Sequence, residues 1–260
     1  MKSKSTLEIA LIQSDLIWEN PSENRKVFEE KINTISSSID LIILPEMFAT
    51  GFTMNAENVA ETMNGKTVLW MQKIAQQKHT AITGSLIIEE ESKFYNRLLF
   101  VFPSGKIEFY DKKHTFTLAG ENKVFTAGKN HTIIDYKEWK INPLICYDLR
   151  FPVWARNTQN YDLLLYVASW PKPRINAWDT LLKARAIENM SYTIGVNRVG
   201  KDANNYEYSG HSACYDSLGK ELCFNKNNET VLLVSLDKES QNNTRKRFRF
   251  LDDKDNFEFL

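Results

Sequence analysis

A thiol, a carboxylate and an ammonium stand at three turning points of this sequence, and together they make up an acyl-transfer apparatus. Cys146 ends the short apolar run 141–145 inside W-K-I-N-P-L-I-C-Y-D-L-R-F-P, a pattern that predicts a buried strand delivering the thiol to its carboxyl end. Tyr147 and Asp148 form a turn, and Phe151-Pro152 can open a helix, whose unpaired amino-terminal N–H groups favour a thiolate or hold an oxyanion. Glu46 directly follows L-I-I-L-P, and Lys112 follows a predicted hairpin in Y-D-K-K-H-T-F. Groups at the carboxyl ends of strands in an open sheet converge on one crevice. There Cys146 would be the nucleophile, Glu46 its activating base and Lys112 the cation that holds the tetrahedral oxyanion. Taken singly, the three read equally as a core cysteine, a capping carboxylate and a surface charge.

Neighbouring residues offer rivals. His114 lies two positions from Lys112, and residues two apart on an extended segment share a side, so a Cys/His pair stays open. Lys113 should face the opposite way. His79, His131 and His211 are scattered without metal-ligand spacing, and no metal or other cofactor is implied. Cys214 and Cys223 fall in a late pair of strands, where small apolar filling is the expected role.

The elements that must position these groups alternate along the chain. A strand over 7–13 precedes a helix opened by Asn20-Pro21, with Phe28, Ile32, Ile35 and Ile39 as its apolar stripe. A buried strand follows over 41–44, then a helix over 67–78 packing through Leu69, Ile74 and Ala75. Strands over 81–87 and 95–102 lead through Pro103-Ser104-Gly105 into a hairpin strand over 106–110. After Cys146 the pattern repeats: helices over 153–159 and 177–190, and strands over 163–168, 192–197, 211–215, 221–224 and 231–235. Nothing between is rich enough in Pro, Gly or Ser to be a linker, so residues 1–260 read as one α/β domain of two similar halves. The tail, about 241–260, switches from basic (Arg245, Lys246, Arg247, Arg249) to acidic (Asp252, Asp253, Asp255) around Phe248, Phe250, Phe257 and Phe259. Four phenylalanines are costly to leave in water, which predicts a tail docked on the body or on a second subunit.

Composition narrows the setting. The 260 residues are 42% hydrophobic and 25% charged with a formal net charge of zero, enough for a sizeable core and without an electrostatic reason to bind nucleic acid. Three cysteines do not form a disulfide framework and fit a reducing compartment. The start carries two lysines but no signal-peptide pattern, and no segment approaches the roughly 20 apolar residues of a membrane span. The expectation is a cytoplasmic protein with no membrane partner.

L-P-E-M-F around Glu46, Y-D-K-K-H-T-F around Lys112 and C-Y-D-L-R-F-P around Cys146 resemble, in order and spacing, the three signature blocks of the nitrilase superfamily of carbon–nitrogen hydrolases. A-S-W-P-K-P-R, A-R-A-I-E-N-M and G-V-N-R-V-G extend the resemblance to the tail and point to its omega-amidase-like branch. The resemblance implies a four-layer α-β-β-α sandwich assembled as dimers or larger oligomers, and a homodimer is the expectation here. It assigns Glu46 as general base, Lys112 as stabiliser of the tetrahedral intermediate and Cys146 as nucleophile, the oxyanion being shared with the backbone N–H of Tyr147. It maps a second glutamate onto Glu121 in L-A-G-E-N, to orient Lys112 or the substrate, and gives His114 a supporting place. The implied reaction is hydrolysis of a small linear amide to an acid and ammonia through a thioester. The same residues would serve a nitrilase or an N-carbamoyl-amine hydrolase, or a protein that binds an amide without turning it over.

For the acyl group, W-P-K-P-R-I-N-A-W, residues 170–178, follows a predicted strand and should overhang the same crevice. An aromatic wall at Trp170 beside a guanidinium suits a short substrate with a carboxylate far from its amide, since arginine grips carboxylates through paired hydrogen bonds. Arg174 is the candidate grip and Lys172 the second. Omega-amides of 2-oxo dicarboxylic acids, such as 2-oxoglutaramate, have this shape, and the resembled branch acts on them.

Overall fold

The computed structural model describes residues 6–35 and 38–258. Phe259, assigned above to the tail, lies outside them, as do residues 1–5 of the start.

The first half begins with β1 (Thr6–Gln13) and α1 (Pro21–Asn33). Asn20 caps that helix, its Oδ1 accepting from the Glu23 N–H at 3.2 Å, and Pro21 occupies the first turn, where no N–H is needed. After β2 (Leu41–Ile43), the short α2 (Ala56–Val59) and α3 (Lys66–Lys78) lead to β3 (Ala81–Glu90), β4 (Lys93–Val101) and β5 (Ile107–Asp111). The β4–β5 turn closes on Gly105, whose φ of +85° suits glycine and whose N–H donates to the Phe102 carbonyl at 2.8 Å. α3 buries Val68, Met71, Ile74 and Ala75, whereas Leu69, expected to pack, is 55% exposed. Spacing of three and four residues selects the buried face, and Leu69 lies off it.

The second half runs through α4 (Glu121–Val124), β6 (Ile134–Tyr136), β7 (Trp139–Ile145), α5 (Pro152–Ala155), β8 (Leu163–Ala168), α6 (Ile175–Asn189), β9 (Tyr192–Asn197), β10 (Val199–Lys201), β11 (Glu207–Tyr215) and β12 (Glu221–Lys226). The helix expected over 153–159 stops at Ala155. Buried Asn157 takes over the backbone there, its side chain bonding the N–H and carbonyl of Tyr161 and its own N–H donating to Asn189 Oδ1 at 2.8 Å.

β13 (Thr230–Asp237) returns to pair antiparallel with β1, completing a sheet ordered β13-β1-β2-β3-β4-β5. The other sheet runs β10-β11-β9-β8-β7-β6, with β12 paired to β11. Successive side chains of β1 serve two cores: Ile9 and Leu11 join Ile141, Leu163 and Val167 between the sheets, and Ala10 and Ile12 join Phe28, Met71 and Ile74 under the helices. On the far side Trp178 and Leu182 of α6 lie so close to Gly195 of β9 that a Cβ there would meet Leu182 Cδ1 at 2.5 Å. The layers are thus α-β-β-α.

The tail holds α7 (Lys238–Phe248), capped by Asp237, where the sequence shows only a switch of charge. Arg245 donates to the Met190 and Tyr161 carbonyls at 2.7 and 2.6 Å, and buried Gln241 to that of Asp162 at 2.8 Å. Phe248, the last residue of α7, stacks on Phe250 at 5.3 Å, Phe250 being 55% exposed. Among the described residues no helix is long and apolar enough to cross a membrane.

Candidate active site

Parallel strands β2, β7 and β8 end at one edge of the two sheets, and so bring Glu46, Cys146 and Ser169 together; β5 brings Lys112 to the same edge. Glu46 is fully buried. Its Oε1 accepts from Lys112 Nζ at 2.9 Å and from Asn96 Nδ2 at 2.8 Å, and its Oε2 from the Ser169 N–H at 2.8 Å. Glu121, at the start of α4, meets Lys112 Nζ with both oxygens at 2.9 Å and accepts from the Phe116 N–H. Burial alone would depress Lys112, but the carboxylates of Glu121 and Glu46 outweigh it and hold the ammonium above its ordinary range. Burial raises Glu121, with Lys112 opposing and Glu46 adding to the rise.

Cys146 sits directly after β7 with φ +45°, a conformation that costs a non-glycine residue energy and turns the side chain out of the strand. Phe151-Pro152 opens α5 as expected, but the five-residue 3-10 turn Cys146–Arg150 stands between the thiol and that helix. So short a turn carries little macrodipole. Burial, then the Glu46 carboxylate, push the thiol well above its ordinary range, Lys112 pulling the other way. The resting sulfur is therefore a neutral thiol under the influence of the Glu46 carboxylate, and activation falls to that carboxylate rather than to the corner.

Asp148 ties this turn to the Lys112 segment. Its buried carboxylate accepts from the Ile145 N–H at 3.0 Å and Tyr110 Oη at 2.8 Å, and from the His114 N–H at 3.0 Å. His114 is committed to that link: Nδ1 lies 2.8 Å from Asp148 Oδ1 and the ring stacks on Phe151 at 3.6 Å. Lys113 points elsewhere, over the Trp154 ring at 5.1 Å.

Above the thiol opens a cavity of about 580 Å³ lined by Lys112, Cys146, Tyr147 and Ser169 at its base and by Trp170 and Arg174 on its wall. Trp170 Nε1 donates to the Arg174 carbonyl at 2.8 Å, and the Arg174 guanidinium lies 5.1 Å over Phe116. Lys172, the second candidate for a carboxylate, is outside this lining and paired with Glu207 at 2.9 Å on the surface. Trp178 is likewise no part of the wall; it is buried, donating to the His211 carbonyl. Arg150 takes the place foreseen for Lys172, lining the cavity with its guanidinium 5.0 Å over Trp170. Sequence reading missed Arg150, Ser169, Asp148 and Asn96. The first three lie inside quoted blocks, and Asn96 is detectable as a polar residue in the apolar strand K-F-Y-N-R-L-L-F-V.

The sequence matches the carbon–nitrogen hydrolase family model over residues 8–246. It is 41% identical to omega-amidase YafV of Yersinia enterocolitica, over 98% of this chain and 100% of that protein. It is 32% identical to 2-oxoglutaramate amidase of Bacillus subtilis, over 94% and 96%. The fold superposes on XC1258 of Xanthomonas campestris, a CN-hydrolase superfamily protein with an arsenic adduct in its active site, with a TM-score of 0.96 and 39% identity over 98% and 99% of the two chains.

Proposed function

The chain belongs to the carbon–nitrogen hydrolase family, and from that premise we propose that it is an omega-amidase that hydrolyses 2-oxoglutaramate or a similar omega-amide through a Cys146 thioester. The observation that carries the reading is the Lys112 ammonium paired with the buried Glu46 carboxylate, whose charge acts on the Cys146 thiol, with ammonium and thiol both lining the base of a cavity that has a guanidinium on its wall. Glu46 takes the thiol proton as sulfur attacks the amide carbon, and the oxyanion is held by Lys112 and the Tyr147 N–H. The tetrahedral adduct collapses, its C–N bond breaks, and Glu46 returns the proton to the leaving ammonia. Water then loses a proton to Glu46 and attacks the thioester; the acid leaves and the thiol is restored.

Trp170 and Arg174 orient the acyl group, Arg174 by pairing with its distal carboxylate. Relatives named omega-amidase and 2-oxoglutaramate amidase support this choice over a nitrile or a carbamoyl amine. The protein works in the cytoplasm as a homodimer, in keeping with its odd number of cysteines and with the exposed Leu218, Phe248 and Phe250 beside α7.

The test is ammonia release from 2-oxoglutaramate, from a nitrile and from a carbamoyl amine, with mass spectrometry of the enzyme during slow turnover. Only the omega-amide should turn over, with an acyl adduct on Cys146 that is absent in Cys146→Ala. An adduct on Cys214 or Cys223 would overturn the assignment.

A further inference from the structure

Asn96 faces the core between the sheets, on the same side of β4 as Leu98 and Phe100. An apolar side chain is the ordinary occupant of such a position. Here a buried amide stands instead, and its Oδ1 has no hydrogen-bond partner. That orphaned acceptor is a cost, so whatever retains the residue must reside in its other groups.

Both are in use. Nδ2 donates to Glu46 Oε1 at 2.8 Å and to Glu121 Oε1 at 3.2 Å, directing its two hydrogens to two different carboxylates. The backbone carbonyl accepts from the Lys112 N–H at 3.0 Å. One residue thus touches all three charged members of the cluster. The amide cannot turn over, because Oδ1 would then face two carboxylate oxygens.

The charge count says why this matters. With the thiol neutral, two buried carboxylates share one ammonium, an excess of one negative charge out of water. Such a pair draws a proton unless donors hold it ionised, and a protonated Glu46 is no base. The groups facing Glu46 are Lys112, Glu121, Cys146 and, at longer range, Tyr208. Among these side chains only Lys112 is cationic.

We propose that Asn96 is a positioning residue that divides its amide between Glu46 and Glu121, so that the pair stays ionised beside a single ammonium and Glu46 stays ready to take the Cys146 proton. This rests on the base role proposed for Glu46, but not on the identity of the acyl group.

Iodoacetamide alkylation of Cys146 in the full-length protein, followed by peptide mass spectrometry across pH, reads the thiol's activation without any substrate. In Asn96→Ala the acid limb of that profile should move up by about one pH unit or more, with a parallel move in kcat/KM and little change in KM. Asn96→Asp keeps the shape and adds a third carboxyl. Its deficit against wild type should deepen as pH rises and the new group ionises, and this variant decides the question if Asn96→Ala does not fold. A limb at the wild-type pH with the rate merely scaled down, or an Asn96→Asp deficit independent of pH, would overturn the proposal. If the wild type turns over no omega-amide while the limb still moves, the substrate reading fails and the role of Asn96 stands.

Discussion

Glu121 grips the Lys112 ammonium with both carboxylate oxygens, each 2.9 Å from Nζ, while Glu46 offers it only Oε1. The asymmetry divides two anions that look alike in sequence. Glu121 is saturated by Lys112, Asn96 and the Phe116 N–H, which fits it to hold the cation in place. Glu46, whose charge acts on the thiol, turns its Oε2 to the Ser169 N–H instead.

Lys112 should be the more costly of two adjacent lysines. Losing one oxyanion donor typically lowers kcat on the order of 10²–10³, and Lys112→Ala should fall at least that far. It also strands two buried carboxylates, so stability should drop by about 3–5 kcal/mol, the usual result of breaking a buried ion pair. The Lys113 ammonium lies over the Trp154 face, a contact worth roughly 0.5–1 kcal/mol, and Lys113→Ala should keep near wild-type kcat. Active-site-titrated kcat and urea melts measure both; equal kcat losses would mean the site has been misplaced.

Alkali should destabilise the protein from about pH 9 upward. The ordinary values are 9.0 for Cys146, 10.0 for Tyr110, Tyr161 and Tyr208, and 10.5 for Lys112, and in the fold all five lie higher. Below pH 9 these groups hold their protons folded or unfolded, and their contribution is fully present. Above it the unfolded chain releases protons that the folded chain keeps, so unfolding becomes easier by up to about 1.4 kcal/mol per pH unit for each group. Urea midpoints at pH 7 and 9 should lie close together and the midpoint at pH 10.5 should fall below both; a flat series would contradict it.

Arg174 should read a carboxylate. Arg174→Ala should lose about 1.5–3 kcal/mol of kcat/KM on an omega-amide bearing a distal carboxylate, and almost nothing on a neutral amide of equal length. Arg150→Ala, on the same wall, is the control that identifies which guanidinium does the reading. A loss shared by both substrates would make Arg174 a support for its loop.

Two cuts in the tail should behave differently. Removal of everything after Arg249 takes Phe250 but leaves α7 bonded to the Met190 and Tyr161 carbonyls, and should weaken dimerisation while sparing the melting temperature. Removal after Gln241 also takes Arg245 and should lower both. Sedimentation velocity and calorimetry separate the outcomes, and an unchanged dimer after the shorter cut would leave the exposed phenylalanines without a role in assembly.

The strands Leu163–Ala168 and Tyr192–Asn197 were legible because a parallel strand covered on both faces is a continuous apolar run, and its limits are chemical. The meeting of Glu46, Lys112 and Cys146 was legible because all three follow strand ends that converge on one edge. Harder to read was anything decided by tertiary partners. Asn157 ends α5 by bonding Asn189, thirty-two residues away, and no local signal announces it. Lys172 and Arg150 differ in their exposure to the cavity, which depends on how the turn after Pro171 is aimed. α7 was hidden by its charges, since a helix with one buried glutamine and a partly buried arginine carries almost no apolar stripe.

The pairing of β1 with β13 sets the order of events at the ribosome. Thr6 to Gln13 emerge before the other described strands, yet their antiparallel neighbours, Asp237 back to Thr230, emerge more than two hundred residues later. At common elongation rates β1 waits roughly 10–40 s with one backbone edge uncovered. An apolar strand with an open edge is a template for the wrong partner, and another nascent chain on the same message presents the same strand. A ribosome that stalls before β13 therefore leaves the sheet of β1 with an open edge that the finished chain covers.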